Sequence, residues 1–366
     1  MEEIDLQAVE QTEGYPVLLS VVIPARNEEE CLGACLESLV GQSALGPGWE
    51  LGRDWEIIVV NDGSTDRTRE IAGGFAGVRV LDAGEPEAGW TGKANAIATG
   101  VRAARGQWLL FTDADTVHEA GHLSLAIAEA ERHGVGMLSY SPRQVVTGLV
   151  QRALMPLIFS ELAVLYSPKK VNNPESRVAA ANGQFMLVRR DAYEKVGGHA
   201  AVMDSVLDDV RLAEIFKRRK LGLRFRNAPE AVSARMYRSV GALWEGWRKN
   251  LALLVGNPLT LAAWRLLDLV LLVGLPFAAW WVWEVARYGK GAYWAQYYGL
   301  AVLLIWMRTL WRFYGRVARS HFRWGDVVLS PLALPLFAVL LYQSWFDHTV
   351  KKRVVWKGRA YKDGKG

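Results

Sequence analysis

A short apolar run that ends in two carboxylates constrains this chain more than any other stretch. Trp108–Phe111 is apolar and aromatic, as in a buried β-strand, and Asp113 and Asp115 follow it one residue apart. Two carboxylates this close repel each other unless a cation neutralises them. A small number of hard oxygen ligands suits Mg2+ or Mn2+ that is also held by a substrate's phosphates. Taken alone, the pattern is more typical of a solvated turn after a strand, but its neighbours favour the cation site.

Apolar runs alternate with helical patterns before this point in the chain. Buried strands are predicted at 18–23, 57–60, 78–81 and 108–111, and helices at 28–40, 66–75 and 93–104. This alternation indicates a largely parallel, Rossmann-like α/β layer, in which ligands bind at the carboxyl ends of the strands. A further strand is predicted at 185–188 and a further helix at 208–219.

Five polar clusters lie in this part of the chain, and three of them directly follow predicted strands. They are Pro24–Glu28, Val60–Asp66, Gly92–Ala96, Asp113–Asp115 and Asp208–Asp209. The fifth opens a predicted helix, where carboxylates are common because the helix dipole stabilises them. The alternative interpretation is chemical, because two adjacent acids can differ in pKa and one of them can accept a proton.

The composition changes after residue 260. Three long apolar runs, rich in Trp, are predicted as membrane segments at about 261–285, 293–310 and 327–346. Arg265 and Asp268 lie near the start of the first run and are expected to snorkel or to pair. The third run contains Pro331 and Pro335, so it is interpreted as re-entrant or interfacial beside two clear spans. An earlier apolar run, 149–165, is interrupted by Pro156 and fits either a membrane-surface helix or a core helix.

The charge of the chain is concentrated at its end. The basic tail 351–366 has a net charge of +6, whereas the whole chain has +5. A basic tail beside apolar segments favours an anionic membrane surface, and nucleic acid is disfavoured because the first 240 residues show no basic and aromatic face. The acidic residues 1–16 are predicted to form a flexible N-terminus without a signal peptide. The predicted organisation is therefore a cytosolic domain over 17–255, membrane segments over 256–350 and the basic tail.

Taken together, the five clusters resemble the family 2 inverting glycosyltransferases, over about residues 18–250. The resemblance implies a GT-A fold, a Rossmann-like domain that binds nucleotide sugars, followed here by C-terminal transmembrane helices. It also implies an enzyme that transfers a hexose from a nucleotide diphosphate-sugar, most simply a UDP-sugar, with Mg2+ or Mn2+ as cofactor. Membrane-anchored members that act on carotenoid and hopanoid-type lipids are the most similar.

The same resemblance assigns roles to individual residues. It places Ala25, Asn27 and Glu28 in the nucleoside pocket, with Asp62 bonded to the base. Lys93 is expected near the phosphates, Asp113 on the ribose or nucleotide side, and Asp115 on the metal. Asp209 is the expected general base, with Asp208 as its partner. Gly183 and Gln184 belong to a segment like the family's acceptor side.

One departure from the family bears on the product. Many processive members carry Gln-x-x-Arg-Trp after the base, whereas this chain has Trp247 and Arg248 in a different motif, for which an acceptor-side role and an amphipathic surface helix are both open. The prediction is therefore transfer to a membrane lipid, through a hydroxyl or a carboxylate, by a multi-pass protein of the cytoplasmic membrane whose catalytic domain faces the cytosol. The alternatives are a processive polysaccharide synthase and a non-catalytic membrane scaffold that keeps the fold.

Overall fold

The computed structural model describes residues 17–42, 49–288, 292–356 and 359–362. The predicted N-terminus 1–16 lies outside the described residues, as do 357–358 and 363–366 of the basic tail. The chain forms two compact units. One comprises Met1–Val145 and Tyr166–Met236, and the other comprises Val146–Leu165 and Tyr237–Gly366. The predicted functional boundary at residue 255 remains a prediction.

The strands and helices alternate through the first unit, and helices dominate the second. The strands are β1 Val17–Ala25, β2 Trp55–Asn61, β3 Val78–Asp82, β4 Gly106–Phe111, β5 Thr116–His118, β6 Met137–Ser141, β7 Arg143–Gln144, β8 Met186–Arg189, β9 Leu223–Asn227, β10 Val232–Ala234, β11 Arg353–Trp356 and β12 Arg359–Lys362. The α-helices are α1 Leu32–Val40, α2 Thr68–Gly73, α3 Gly92–Ala103, α4 His122–Arg132, α5 Gly148–Leu165, α6 Pro168–Val171, α7 Arg190–Val196, α8 Asp208–Arg218, α9 Val240–Val255, α10 Pro258–Tyr288, α11 Ala292–Val317, α12 Trp324–Val327 and α13 Leu334–Phe346.

A seven-stranded sheet in the order β3-β2-β1-β4-β8-β6-β9 forms the centre of the first unit. β1 pairs in parallel with both β2 and β4, so the chain moves outward in one direction from β1 and later returns to its other side. The reversal leaves a crevice outside the carboxyl ends of β1 and β4, where sheets of this type bind ligands. A small second sheet, β5-β10-β7, follows the end of β4.

Both faces of the large sheet are covered, which explains its nearly continuous apolar strands. Along β1, Leu19, Val21 and Ile23 face one apolar core and Val22 faces the other. The second core includes residues of α3. This helix can pack closely against β1 because Gly100 has no side chain, and a β-carbon there would lie 2.5 Å from Cγ1 of Val22. The predicted α/β layer is therefore present, and the four predicted early strands lie within β1 to β4.

Two details differ from the sequence predictions. The helix predicted at 28–40 begins only at Leu32, because residues 28–31 form the loop that leads into it. The strand predicted at 185–188 is β8, and it runs antiparallel to both of its neighbours. Apolar periodicity identifies a strand but carries no information about its direction, so this orientation was not accessible from the sequence.

The second unit is mainly helical. By length and composition, two described helical stretches could cross a membrane. The first is Gly148–Val171, whose most apolar stretch is half buried inside the protein. The second is Pro258–Val285, whose most apolar stretch is only 6% buried. The predicted runs 261–285 and 293–310 lie within α10 and α11. The third run is split between a 3-10 turn at Ser330–Ala333 and the 13-residue helix α13.

Four charged side chains meet where α5, α10 and α11 pack together. Arg265 lies 2.9 Å from Asp268 and 3.2 Å from Glu161, and Arg316 lies 2.7 Å from Asp268. The expected pairing of Arg265 with Asp268 is therefore observed. The cluster has no net charge, as expected for ionised groups withdrawn from water.

Candidate active site

The loops after β1 and β2 are joined at the carboxyl edge of the sheet. The main-chain N–H of Asp62 donates to the carbonyl of Ala25 at 2.8 Å, and Arg26 Nη1 donates to the carbonyl of Asp62 at 2.8 Å. Asn27 has a positive φ of 53°, which turns its amide oxygen towards the second loop, where it accepts from the N–H of Thr65 at 2.9 Å. Four of the predicted donor-pocket residues, Ala25 at the end of β1 and Asn27, Glu28 and Asp62 in two adjoining loops, therefore lie at this edge of the sheet.

The loops after β4 and before β8 meet at the same edge. Because β8 is antiparallel, the residues that precede it, Gly183 and Gln184, lie beside the residues that follow β4. Thr112 Oγ1 donates to the carbonyl of Gln184 at 2.8 Å, and Thr116 Oγ1 donates to the carbonyl of Asp113 at 2.7 Å. The first bond joins the two loops, and the second holds the turn that follows β4.

Gly183 is the point at which the predicted charged residues converge. Lys93 Nζ, at the start of α3, forms an ion pair of 2.7 Å with Asp113 Oδ1. The N–H of Gly183 donates to Asp209 Oδ2 at 2.8 Å. A β-carbon at Gly183 would lie 2.8 Å from Lys93 Nζ and 3.6 Å from carboxylate oxygens of both Asp113 and Asp209. The backbone of residue 183 thus fills the space between one ammonium and two carboxylates.

Asp115 lies beside this group and contacts Gln184. Both of its carboxylate oxygens are 3.5 Å from Gln184 Nε2, and Gln184 Oε1 accepts from Gln144 Nε2 at 3.0 Å. Burial, together with the charges of Asp113 and Glu28, raises the pKa of Asp115 to about 7. This position therefore favours positive charge, either a proton or a cation, on the Asp115 carboxylate. No group of three or more His, Cys, Asp or Glu side chains with metal-site geometry occurs in the described part of the chain.

Asp208 and Asp209 occupy the first turn of α8, and their pKa values are shifted in opposite directions. Burial and the charge of Asp208 raise the pKa of Asp209 to about 6. Burial acts in the same direction on Asp208, but Lys93 and His199 outweigh it and lower the pKa of Asp208 to about 2. Burial would lower the pKa of Lys93, yet the carboxylates of Asp113, Asp208 and Asp209 raise it instead. The pair therefore combines a firmly ionised acid with one that gains and loses a proton close to neutral pH.

Trp247 and Arg248 lie on α9, in the second unit. Trp247 is 2% exposed, and its indole N–H points to Met155 Sδ at 3.3 Å. Arg248 forms two hydrogen bonds with Asp347 Oδ2, at 2.9 and 2.6 Å. These contacts hold both side chains within their own unit, and an acceptor-side role for them remains a prediction.

The sequence analysis missed two residues behind Asp208. His199 Nε2 lies 3.5 Å from Asp208 Oδ2, and the hydroxyl of Tyr193 lies 2.8 Å from His199 Nδ1. A histidine nine residues before a carboxylate pair gives no helical or strand periodicity that would connect the two. The available signal was Gly197-Gly198, because two positive φ angles at this point fold the chain back onto Tyr193.

Known proteins with similar sequences are glycosyltransferases. Residues 20–197 match the model of the family described as Glycosyl transferase family 2. The 4,4'-diaponeurosporenoate glycosyltransferase of Staphylococcus aureus strain MRSA252 is 25% identical over 353 residues, which cover 94% of this chain and 88% of that protein. The matched region contains β1 to β4, β6 and β8, and the predicted fold class of its α/β domain is confirmed.

Two solved structures are also similar. The mannosyltransferase PcManGT from Pyrobaculum calidifontis, in complex with GDP-Man and Mn2+, has a TM-score of 0.49 and 18% identity, over 94% of this chain and 92% of that one. Glucosyl-3-phosphoglycerate synthase from Mycobacterium tuberculosis, in complex with Mn2+, UDP and phosphoglyceric acid, has a TM-score of 0.43 and 20% identity, over 66% of this chain and 78% of that one.

Proposed function

We propose that this chain, a glycosyltransferase with a family 2 domain, transfers a sugar from a nucleotide diphosphate donor to a membrane isoprenoid lipid. The observation that carries the proposal is the convergence of Lys93, Asp113 and Asp209 around Gly183, with Asp115 beside them. These residues come from four separate parts of the sequence and meet at the edge of the sheet where ligands bind. A diphosphate, a cation and a reacting hydroxyl are the groups that such a set of charges accommodates.

The donor end of the cleft is formed by the first two loops and Lys93. Ala25, Asn27, Glu28 and Asp62 would line the nucleoside pocket. Asp113 would face the ribose or nucleotide side, and the Lys93 ammonium would face a phosphate oxygen. Uracil is the base we expect, so the donor would be a UDP-sugar. A GDP-sugar is the alternative to include in a test.

The Asp115 carboxylate beside Gln184 is the ligand we propose for a hard divalent cation. Asp115 supplies a half-buried carboxylate whose pKa is raised by burial and by the nearby charges of Asp113 and Glu28, and carboxylate oxygens are ligands that Mg2+ or Mn2+ prefers. Asp115 would hold the ion, and the pyrophosphate of the donor and water would complete its ligands. When bound, such an ion neutralises charge on the departing diphosphate.

Asp209 is the general base in this proposal. It would accept the proton of an acceptor hydroxyl, whose oxygen bonds to the anomeric carbon while the bond from that carbon to the diphosphate oxygen breaks. The diphosphate leaves with the bonding electrons, and the anomeric configuration inverts. A pKa of about 6 suits a base that works near neutral pH. A carboxylate acceptor would have no proton to lose, and Asp209 would then only position it.

The acceptor is proposed from the relative and from the second unit. The S. aureus relative is named for 4,4'-diaponeurosporenoate, and that name denotes a carboxylate. In this chain α10 exposes large apolar side chains, among them Phe277, Trp281 and Trp283, each more than 60% exposed. A continuous apolar surface of this kind is typical of contact with lipid, which supports a bilayer location and a lipid substrate.

A donor screen tests the proposal directly. Purified protein is mixed with UDP- or GDP-sugars, Mg2+ or Mn2+ and a bacterial membrane lipid extract, and new glycolipids are detected by mass spectrometry. We expect one metal-dependent product that is absent with Asp115→Ala and with Asp209→Asn. Asp191→Asn is the matched control, because it removes an exposed carboxylate that is bonded to Arg189 on the protein surface. Long polymers on a gel would instead indicate a processive synthase, and intact donor under all conditions would indicate a scaffold.

A further inference from the structure

Three buried polar side chains form a chain that ends at Asp208, the residue before the candidate base Asp209. Tyr193 on α7, His199 in the following turn and Asp208 on α8 are 5%, 1% and 5% exposed, respectively. Tyr193 Oη lies 2.8 Å from His199 Nδ1, and His199 Nε2 lies 3.5 Å from Asp208 Oδ2. No residue in the donor pocket requires this arrangement, so it calls for a separate explanation.

The hydrogen bonds around Tyr193 favour one of the two neutral tautomers of His199. The main-chain N–H of His199 donates to Tyr193 Oη at 3.0 Å, which uses the hydroxyl as an acceptor. The single proton of that hydroxyl is then available for His199 Nδ1. If Nδ1 accepts that proton, the neutral ring carries its own proton on Nε2, and this tautomer also suits the ionised Asp208 carboxylate, which can only accept a hydrogen bond. Nε2 is the nitrogen that faces Asp208, and a shift of a few tenths of an ångström would close a hydrogen bond to it.

The surrounding structure holds the ring in this orientation. The Phe111 ring contacts the imidazole edge-on, with centroids 5.0 Å apart. Gly198 has a φ of 56°, and a β-carbon there would lie 2.5 Å from the Tyr193 ring, so the turn that presents His199 depends on a glycine. The imidazole therefore has little freedom to rotate away from Asp208.

Several charged or titratable groups act on the carboxylate pair besides His199. Lys93 attracts both carboxylates, and Asp113 faces Asp209 across Gly183. Tyr166 lies close enough to Asp209 for the two to interact, and Arg190 interacts with Tyr193. Of these neighbours, His199 is the one that reaches Asp208 from the buried side and is itself oriented by a hydroxyl.

We propose that His199, held by Tyr193 as the Nε2–H tautomer, is a positioning residue that fixes the Asp208 carboxylate beside Asp209. The inference rests on the proposed function, in which Asp209 is the base. Asp208 held in this way keeps its charge and its place, so that a proton arriving from the acceptor stays on Asp209 rather than being shared. His199 does not touch the substrate and acts only through Asp208.

Two substitutions of His199 separate the positioning role from simple packing. His199→Gln retains an N–H near the place of Nε2, whereas the shorter His199→Asn cannot reach Asp208. For His199→Asn we expect kcat to fall by about tenfold or more, with KM for the nucleotide sugar changed by less than about threefold. We also expect the acid limb of the pH profile of kcat/KM to move upward by roughly half a unit or more. His199→Gln should keep the wild-type limb and most of kcat, and equal losses in both variants would overturn the proposal.

The tautomer has a readout that does not depend on catalysis. In protein labelled with 15N-histidine, the His199 signals are identified by their loss in His199→Asn. We expect an unprotonated Nδ1 and a protonated Nε2 in the resting protein, and a mixture of tautomers in Tyr193→Phe. Tyr140→Phe is the matched control, because it removes another buried tyrosine hydroxyl, bonded to Glu129 at 2.8 Å, and should leave the His199 signals unchanged. A protonated Nδ1 in the wild type would contradict the proposal.

The two experiments also separate this inference from the proposed function. If no donor is consumed but the Nε2–H tautomer is found and depends on Tyr193, the buried chain exists and the glycosyl-transfer proposal is at fault. If transfer proceeds and His199→Asn leaves both kcat and the pH profile unchanged, the proposed function stands and the positioning role fails.

Discussion

A single glycine determines how closely the charged groups of the candidate site approach one another. Gly183 separates Lys93 from Asp209, and a β-carbon at this position would lie 2.8 Å from the Lys93 ammonium nitrogen. Because that nitrogen is the far end of a flexible side chain, the substitution displaces it instead of unfolding the protein. The space at residue 183 is therefore part of the chemistry of the site.

We expect Gly183→Ala to break the 2.7 Å ion pair between Lys93 and Asp113 and to lower kcat/KM by about tenfold or more. The melting temperature should change little. Steady-state kinetics and thermal unfolding measure the two effects. Gly33→Ala is the matched control, because a β-carbon there lies no closer than 3.9 Å to its nearest neighbour outside the helix. Wild-type kinetics in Gly183→Ala would show that the convergence has no role.

The pH dependence of the reaction is expected to follow Asp209. Because burial and Asp208 raise its pKa to about 6, the base is protonated and inactive below that pH and ionised above it. We therefore expect kcat/KM to rise about tenfold per pH unit below about 6 and to level off above it. Asp209→Asn should lose this limb together with most of the activity, whereas Asp191→Asn should retain both. The same limb in Asp209→Asn would assign it to another group.

At the scale of elements, the sequence predicts what depends on local pattern and misses what depends on direction and turn geometry. The apolar runs that became β1, β2 and β4 and the polar residues after them were identified, because burial and turns leave periodic signals. The antiparallel course of β8, which brings Gly183 to the site, depends on a long connection that no local pattern describes. His199 reaches Asp208 because the adjacent glycines Gly197 and Gly198 turn the chain. Its contact with Tyr193 is a tertiary contact that leaves no periodic signal. Residue types at the site were therefore predictable, whereas the residues behind them were not.

α10 and α11 form an antiparallel pair whose length bears on topology. The indole N–H of Trp306 donates to the carbonyl of Leu272 at 2.9 Å, and Arg316 pairs with Asp268 one turn earlier on α10. With 31 and 26 residues, the helices measure about 46 and 39 Å, more than the roughly 30 Å of a bilayer core. α13, with 13 residues, measures only about 20 Å. α10 meets the criteria of length and composition for a membrane span, whereas α11 is long enough but is not among the stretches that do. Two crossings, by α10 and α11, remain our prediction, and they would return the chain to its starting side and leave the basic tail in the cytosol.

This topology predicts the outcome of two enzyme fusions. Alkaline phosphatase, which is active only outside the cytosol, is fused after Lys290 or after Gly366. We expect activity from the first fusion and none from the second, because the first follows one crossing and the second follows two. A fluorescent protein at the same positions should give the opposite pattern and controls for expression. Phosphatase activity at Gly366 would require an odd number of crossings, and inactivity at both positions would indicate a re-entrant pair.

At the scale of the whole molecule, the two units differ in how they satisfy their apolar residues. The first buries them in two cores, one on each face of its sheet, as a water-soluble domain does. The second leaves the outer surfaces of α10 and α11 exposed, including Phe277, Trp281 and Trp311, all more than 60% exposed. Burying such surface in lipid gains about 25 cal/mol per Å2, a term that neither salt nor pH removes. The predicted attraction of the basic tail to anionic lipid would, in contrast, be screened by salt.

We therefore expect the protein to remain in the membrane pellet after washes with concentrated salt and with alkaline carbonate, and to be released only by detergent. A variant with Lys351, Lys352 and Lys362 changed to Gln is the control that weakens the electrostatic contribution alone. It should stay in the pellet under the same washes, because the apolar helices hold it there. Immunoblots of pellet and supernatant measure the distribution. Release of the wild type by salt would show that charge holds the protein at the surface, and α10 and α11 would then have to be covered by another protein.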